Sequence, residues 1–266
     1  MNIETIKSVY FVGAGGIGMS ALVRYFLFKG KIVAGYDRTP TPLTETLIAE
    51  GAQIHYEENV DLIPEACKDK ESTLVIYTPA VPQEHEEIVY FRNNGFEIQK
   101  RAQVLGTITH SSKGLCVAGT HGKTTTTSML SHILLAGELD PTISVGGILK
   151  AIGGNIRVGD SEYFVTEACE YTNSFLHFFP KIGVILNIDE DHLDFFKDLA
   201  DIRNSFHRFA KLLPKDGTLV INDNIPDLEE ITADLDCRVI RYGNDSSLDY
   251  SATNILHDKK GEASFD

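Results

Sequence analysis

Two glycine-rich loops, each lodged between a short apolar run and a helical pattern, do most to limit what this chain can fold into. Gly13-Ala14-Gly15-Gly16-Ile17-Gly18 follows Val9-Tyr10-Phe11-Val12, and Gly119-Thr120-His121-Gly122-Lys123-Thr124-Thr125 follows Leu115-Cys116-Val117-Ala118. A strand that turns through glycine straight into a helix opens a βαβ unit, because the turn brings backbone closer to backbone than a Cβ permits. Two such openings in 266 residues predict two α/β units, in line with roughly 150 residues per domain.

The intervening pattern agrees. Strands are expected at Ile32–Tyr36 and Leu74–Tyr77, alternating with helices at Ser20–Lys29, Leu43–Glu50 and Glu84–Asn94. Alternation of this kind builds a parallel sheet covered by helices. A helix over Gln103–Thr109 leads to the connector His110–Gly114, where we place the boundary between domains 1–110 and 111–266. Beyond it, strands are expected at Tyr163–Thr166, Ile182–Leu186 and Thr218–Ile221, with helices at Thr125–Leu135 and Leu199–Leu213. The chain ends at Asp266 soon after the turn-like Lys259-Lys260-Gly261, as a chain cut within a domain would.

Composition narrows the function classes. A net charge of −14 is the wrong sign for general nucleic-acid binding, which needs a basic face against phosphates. No apolar run approaches the roughly 18 residues of a membrane span, and the leading segment runs straight into a strand without a signal peptide. The four cysteines, Cys67, Cys116, Cys169 and Cys237, form no close pair and read as reduced thiols of a cytoplasmic protein.

Each loop suits a phosphorylated ligand. In Gly13–Gly18 the absence of side chains lets N–H groups approach a diphosphate at a helix N-terminus, while Asp37 closes the next strand about twenty residues on, where a ribose-binding acid is expected. The pattern alone does not separate a nicotinamide cofactor from another diphosphate ligand, and a tight packing turn would also use it. The second loop ends like a P-loop, although Val117 stands where the pattern wants its first glycine. Its N–H groups would nest a phosphate, Lys123 adds a point charge, and Thr124 could ligate Mg2+. A threonine-rich helix cap is the plainer alternative.

Ligands of open α/β sheets sit beyond the carboxyl ends of the strands. There the sequence delivers Glu167 and Glu170 after one strand, and Asn187 followed by Asp189-Glu190-Asp191-His192 after another. A carboxylate and an imidazole beside the P-loop could hold magnesium, although that cation prefers oxygen.

Taken together, these segments resemble the Mur ligase family. The resemblance rests on Gly13 to Ser20, Ala118 to Thr126, Glu167-Ala168-Cys169-Glu170 through Ser174-Phe175-Leu176, and Asn187 through Asp191-His192-Leu193-Asp194, in that order. It implies a Rossmann-like UDP-sugar-binding domain and a P-loop ATPase-like α/β central domain, with the family's third domain missing. The implied reaction is ATP-dependent and Mg2+-dependent joining of an amino acid, L-alanine, to UDP-N-acetylmuramate. His121 and the Glu-Ala-x-Glu run favour that member or its muropeptide-recycling relative.

By the same resemblance, Gly13, Ala14, Gly15, Gly16, Ile17, Gly18 and Asp37 hold the UDP moiety, with His121, Asn155 and Glu170 on the sugar side. Gly119, Thr120, His121, Gly122, Lys123, Thr124 and Thr125 meet the ATP phosphates, and Asn187 the adenine. Thr124, Glu167 and His192 ligate the metal, and Lys123, Glu167 and His192 form the catalytic set. Several family members carry a carbamylated lysine in the next helix. His207 stands near that place here, so the modification is not expected. An oxidoreductase built on the first loop would leave the second unexplained, whereas a non-catalytic nucleotide-binding module would use both.

Overall fold

The computed structural model describes residue 3 and residues 5–266; Met1, Asn2 and Glu4 of the leading segment lie outside the described residues. Strand β1 (Ser8–Val12) is buried at all five positions, as expected of a strand covered on both faces. It is flanked by β2 (Ile32–Tyr36) and β4 (Thr73–Tyr77), with β3 (Gln53–His55) and β5 (Glu97–Lys100) at the edges. The order β3-β2-β1-β4-β5 is parallel throughout. The connecting helices are α1 (Ile17–Phe28), α2 (Pro42–Ala49), α3 (Glu86–Asn93) and α4 (Arg101–His110). Thr41 caps α2 by accepting from the Thr44 N–H, with Pro42 at the first helical position, where its missing N–H costs nothing.

The second sheet comprises β6 (Lys113–Ala118), β7 (Thr142–Leu149), β8 (Gly154–Arg157), β9 (Tyr163–Glu167), β10 (Pro180–Ile185), β11 (Thr218–Asn222), β12 (Arg238–Gly243) and β13 (Tyr250–Ser251). Its order is β13-β12-β11-β10-β6-β9-β7-β8, and β8 alone runs antiparallel to its neighbour. Helices α5 (Lys123–Ala136), α6 (Leu199–Ala210) and α7 (Glu229–Thr232) accompany it, and β14 (Leu256–His257) pairs with β15 (Ala263–Ser264) in a separate hairpin. The turn expected at Lys259–Gly261 joins those two strands, with Gly261 at φ +82°.

Several elements differ from the sequence reading. α1 and α5 begin at Ile17 and Lys123, earlier than expected, because Gly16 and Gly122 are themselves the N-cap residues. α6 stops at Ala210, before the expected Leu213. The pair β7–β8 was not foreseen, since Gly146 and Gly147 make β7 read as a loop.

The apolar core does not stop at the expected boundary. One continuous cluster runs from Val9, Phe11 and Phe26, through Val104, Leu105 and Ile108 of α4, to Phe175, Phe206 and Phe209. Helix α4 approaches the turn at residues 171–177 so closely that a Cβ on Gly106 would lie 2.1 Å from the His177 carbonyl oxygen. Phe175 stacks on Phe209 with centroids 4.9 Å apart and meets Phe206 edge-on at 5.3 Å. A second tie joins β8 to α1, where the buried Asn155 donates through Nδ2 to the Ile17 carbonyl at 2.5 Å and accepts from Arg24 Nη1 at 3.3 Å. All four cysteines are free thiols. Among the described residues, no helix is long and apolar enough to cross a membrane.

Candidate functional site

The second glycine loop lies at the carboxyl end of β6, between β9 and β10, where a sheet of this kind opens a crevice. Gly119 (φ +144°) and Gly122 (φ +84°) hold backbone conformations that L side chains avoid. No side chain caps α5, so its first-turn N–H groups are left for an anion. The P-loop's leading glycine is replaced because Val117 is still inside β6, paired with Glu167 and Val184.

Lys123 folds back over the loop. Its Nζ donates to the Gly119 carbonyl at 2.6 Å, to that of Thr120 at 3.0 Å, and to Glu170 Oε2 at 3.0 Å. Glu170, expected on the sugar side, is instead only 2% exposed and serves as the buried counter-ion of this lysine. The pairing has a plain cause: a buried carboxylate must be paired, and the loop ammonium is the group within reach.

Thr124 Oγ1 donates to Glu167 Oε2 at 3.1 Å, and Glu167 Oε1 accepts from the Gly146 N–H at 2.6 Å. A hydroxyl and a carboxylate side by side offer the oxygen ligands that hard Mg2+ prefers, the rest coming from phosphate and water. His192 does not join them. It sits in the left-handed region at φ +53°, its ring 4.6 Å from that of Tyr171, with Glu170 Oε1 and Asp191 Oδ1 as polar neighbours, each at 3.8 Å. Among the described residues, no group of three or more His, Cys, Asp or Glu is arranged to hold a metal. The oxygen pair fits the cation; the imidazole is a neighbour of the lysine's counter-ion.

Asn187, expected at the adenine, is a loop clamp. Its Oδ1 accepts from the His121 N–H at 2.7 Å and its Nδ2 donates to the His121 carbonyl at 3.0 Å. Thr120 Oγ1 accepts from the Asp189 N–H at 2.9 Å, so the residues after β10 brace the loop by side chain and backbone. The His121 side chain is exposed, as is that of Thr125. His207 is turned away towards α7, its Nδ1 3.2 Å from the Ile231 carbonyl.

In the first loop, the Gly13 and Ala14 N–H groups donate to the Tyr36 carbonyl at 2.8 and 3.0 Å, and the Gly15 N–H to Asp37 Oδ2 at 2.6 Å. Asp37 therefore points back at the loop. The N–H groups of the first turn of α1, after Gly16, have no side-chain cap. Beside this loop lies a cavity of about 570 Å3 bordered by Gly13, Gly16, Asp37, Arg38, Glu58 and His85. Ile17 is half exposed, and Asn155, expected at the sugar, is buried in the contact between β8 and α1. Gly18 leaves room for Arg101: a Cβ there would lie 2.6 Å from Arg101 Nε, which donates to the Gly18 carbonyl at 3.0 Å, so the arginine side chain would have to shift. Sequence reasoning passed over Arg101 and Gly146. The first carried one signal, a cation directly after a short strand, and the second carried none while β7 went unrecognised.

With this geometry in view, comparison with known proteins is decisive. Residues 117–266 match the Mur ligase middle domain, and residues 8–113 match the Mur ligase family catalytic domain. The chain belongs to the Mur ligase family. Its curated relatives include a UDP-N-acetylmuramate–L-alanine ligase of Phocaeicola vulgatus, 55% identical over 85% of this chain and 49% of that protein. A ligase of the same name from Clostridium tetani is 47% identical over 99% of this chain and 57% of that protein. This Mur ligase chain thus spans about half the length of the curated relatives it matches. Among solved structures, the UDP-N-acetylmuramate:L-alanyl-gamma-D-glutamyl-meso-diaminopimelate ligase of Neisseria meningitides is similar with a TM-score of 0.84. That likeness holds at 25% identity, over 98% of this chain and 84% of that one.

Proposed function

We propose that this chain supplies the UDP-sugar and ATP sites of a cytoplasmic ligase that joins L-alanine to the lactyl carboxylate of UDP-N-acetylmuramate for peptidoglycan precursors. The observation that carries the reading is the P-loop ammonium of Lys123 standing beside the oxygen pair of Thr124 and Glu167. The name shared by the curated relatives supports the substrate pair. Residues 1–110 would bind the sugar nucleotide and residues 111–266 the ATP.

A carboxylate oxygen of the sugar attacks the γ-phosphorus, the bond to ADP breaks, and an acyl phosphate forms. The amine of L-alanine then attacks the acyl carbon, phosphate leaves, and the nitrogen sheds a proton. The first-turn N–H groups of α5 cradle the transferring phosphoryl oxygens, and stabilising their charge is the main task of protein groups in such transfers. Lys123 leaves its two carbonyl contacts to meet the nucleotide, while Glu170 keeps the ammonium over the loop. Asn187 holds His121 so that the loop does not collapse when the lysine moves. Thr124 and Glu167 would hold Mg2+, which supplies further positive charge to the phosphates when bound.

Calorimetric titration of the chain with ATP plus Mg2+ and with UDP-N-acetylmuramate tests the reading. Both should bind, Lys123→Ala should weaken ATP at least tenfold, and NADH should give no heat. A chain that takes up NADH but neither nucleotide substrate would sink the proposal. Similarity to the Neisseria enzyme favours a second acceptor, L-alanyl-γ-D-glutamyl-meso-diaminopimelate. Phosphate release measured with each acceptor in turn decides between them.

A further inference from the structure

Arg101 opens α4 where the two sheets meet, and its guanidinium is placed by an unusual contact. Nε donates to the Gly18 carbonyl at 3.0 Å, and the guanidinium lies so close to Gly18 that a Cβ there would come within 2.7 Å of Cζ. The preceding carbonyl, that of Ile17, is taken by Asn155 of β8, so this side of α1 faces the second sheet. Burial lowers the arginine's pKa, an effect that Cys169 and Glu167 on that side oppose. The guanidinium therefore sits against the end of the first glycine loop, on the side of α1 that faces the second sheet.

Its charge is not consumed there. Nη1 and Nη2 make no hydrogen bond or ion pair among the described residues. The neighbouring Glu167 already accepts from Thr124 and Gly146, and Lys123 is neutralised by Glu170. Arg101 is thus a partly buried cation with one donor used and its planar fork unoccupied. A fork of this shape matches a carboxylate through two parallel N–H···O bonds, and desolvation in a cleft makes such a bond worth more.

We propose that Arg101 receives the carboxylate of the acid substrate and holds it in the gap between the two glycine loops, turned towards the phosphoryl donor. The proposal rests on the reading given under Proposed function. The α1 N-terminus takes the diphosphate and the α5 N-terminus the ATP phosphates, which leaves the guanidinium for the anion between them. Gly18 acts through Arg101, because any side chain there would push the guanidinium off its seat.

Two sugar nucleotides that differ in this one group provide the test. UDP-N-acetylmuramate carries the lactyl carboxylate and UDP-N-acetylglucosamine lacks it. Both are titrated into the wild type, Arg101→Met and Arg101→Lys, with ATP affinity and the melting temperature measured on each. The expected result is a loss of tenfold or more in the affinity of Arg101→Met for UDP-N-acetylmuramate. Its affinities for UDP-N-acetylglucosamine and ATP stay unchanged. Arg101→Lys, which keeps the charge but not the fork, falls between and guards against misfolding of the methionine variant. An equal loss for both sugar nucleotides would assign the guanidinium to the diphosphate or to packing and overturn the proposal, as would no loss at all. A wild type that binds neither sugar nucleotide overturns the functional reading itself and this proposal with it.

Discussion

At the scale of single residues, Asn187 has both ends of its amide on the backbone of His121. Asn187→Ala should free that peptide while leaving the strand before it intact. Two hydrogen bonds at about 1 kcal/mol each predict roughly a tenfold or greater loss in ATP affinity, with a much smaller change in melting temperature. Calorimetry beside a thermal melt separates the two effects.

A second residue-scale prediction concerns Glu87, a fully buried carboxyl on α3. Burial raises its pKa to about 7, against the lowering effect of the Tyr10 hydroxyl at 2.8 Å. Glu58 and Glu86 raise it further, and His55 Nε2 stands 3.5 Å away. Because the folded value lies above the unfolded one of 4.5, the folded chain keeps a proton that the unfolded chain has lost. Glu87 therefore destabilises progressively as pH rises from about 4.5 to 7, by about 1.4 kcal/mol per unit at most. His55 and His85, whose values burial lowers, favour the folded chain as pH rises, so the comparison must be made against Glu87→Gln. The stability of wild type minus that of the variant should decline across this window in urea melts. A difference independent of pH would contradict the assignment.

These residues also show what could be read beforehand. Lys123, Thr124 and Glu167 were legible because a loop and a strand end fix their places. Glu170, Asn187, Asn155 and His192 were legible as polar groups near the site, but not in their partners. Those partners arrive from helices and loops elsewhere in the chain, and nothing in a linear pattern says which hydrogen bond wins.

Elements were legible where periodicity was strong and glycine sparse, as in β1, β4, β6 and β9. Edge strands such as β3, with three residues, carry too few positions to show alternation. The glycine pair in β7 hid the strand that delivers the Gly146 N–H to Glu167. At this scale the close approach of α4 to the turn after β9 gives a sharp prediction. Gly106→Ala would set a Cβ 2.1 Å from the His177 carbonyl, and backbone cannot yield as a side-chain tip does. Overpacking of this kind costs about 1–3 kcal/mol, and more is expected here because the obstacle is backbone. The melting temperature should drop by several degrees, and amides of residues 171–177 should exchange faster. Gly122→Ala, by contrast, would cost about 1–2 kcal/mol for its positive φ and should show itself mainly as weakened ATP binding.

Across the whole molecule, one apolar cluster extends through both sheets by way of α4. Heat should therefore unfold the two sheets together, in a single calorimetric transition. Two well-separated transitions would mean that the shared cluster contributes little. Removing the second tie with Asn155→Ala should lower stability by about 1–3 kcal/mol without splitting that transition.

The shared cluster also sets how the two glycine loops face each other. A flexible joint between the two glycine loops would let their separation vary, but here a filled core lies across it. Val104, Leu105 and Ile108 act as a gauge block: their volume fixes how far the first glycine loop stands from the second. A ligand long enough to span that gap is measured by the interior of the protein, and a single methylene added or removed in α4 would recalibrate the instrument.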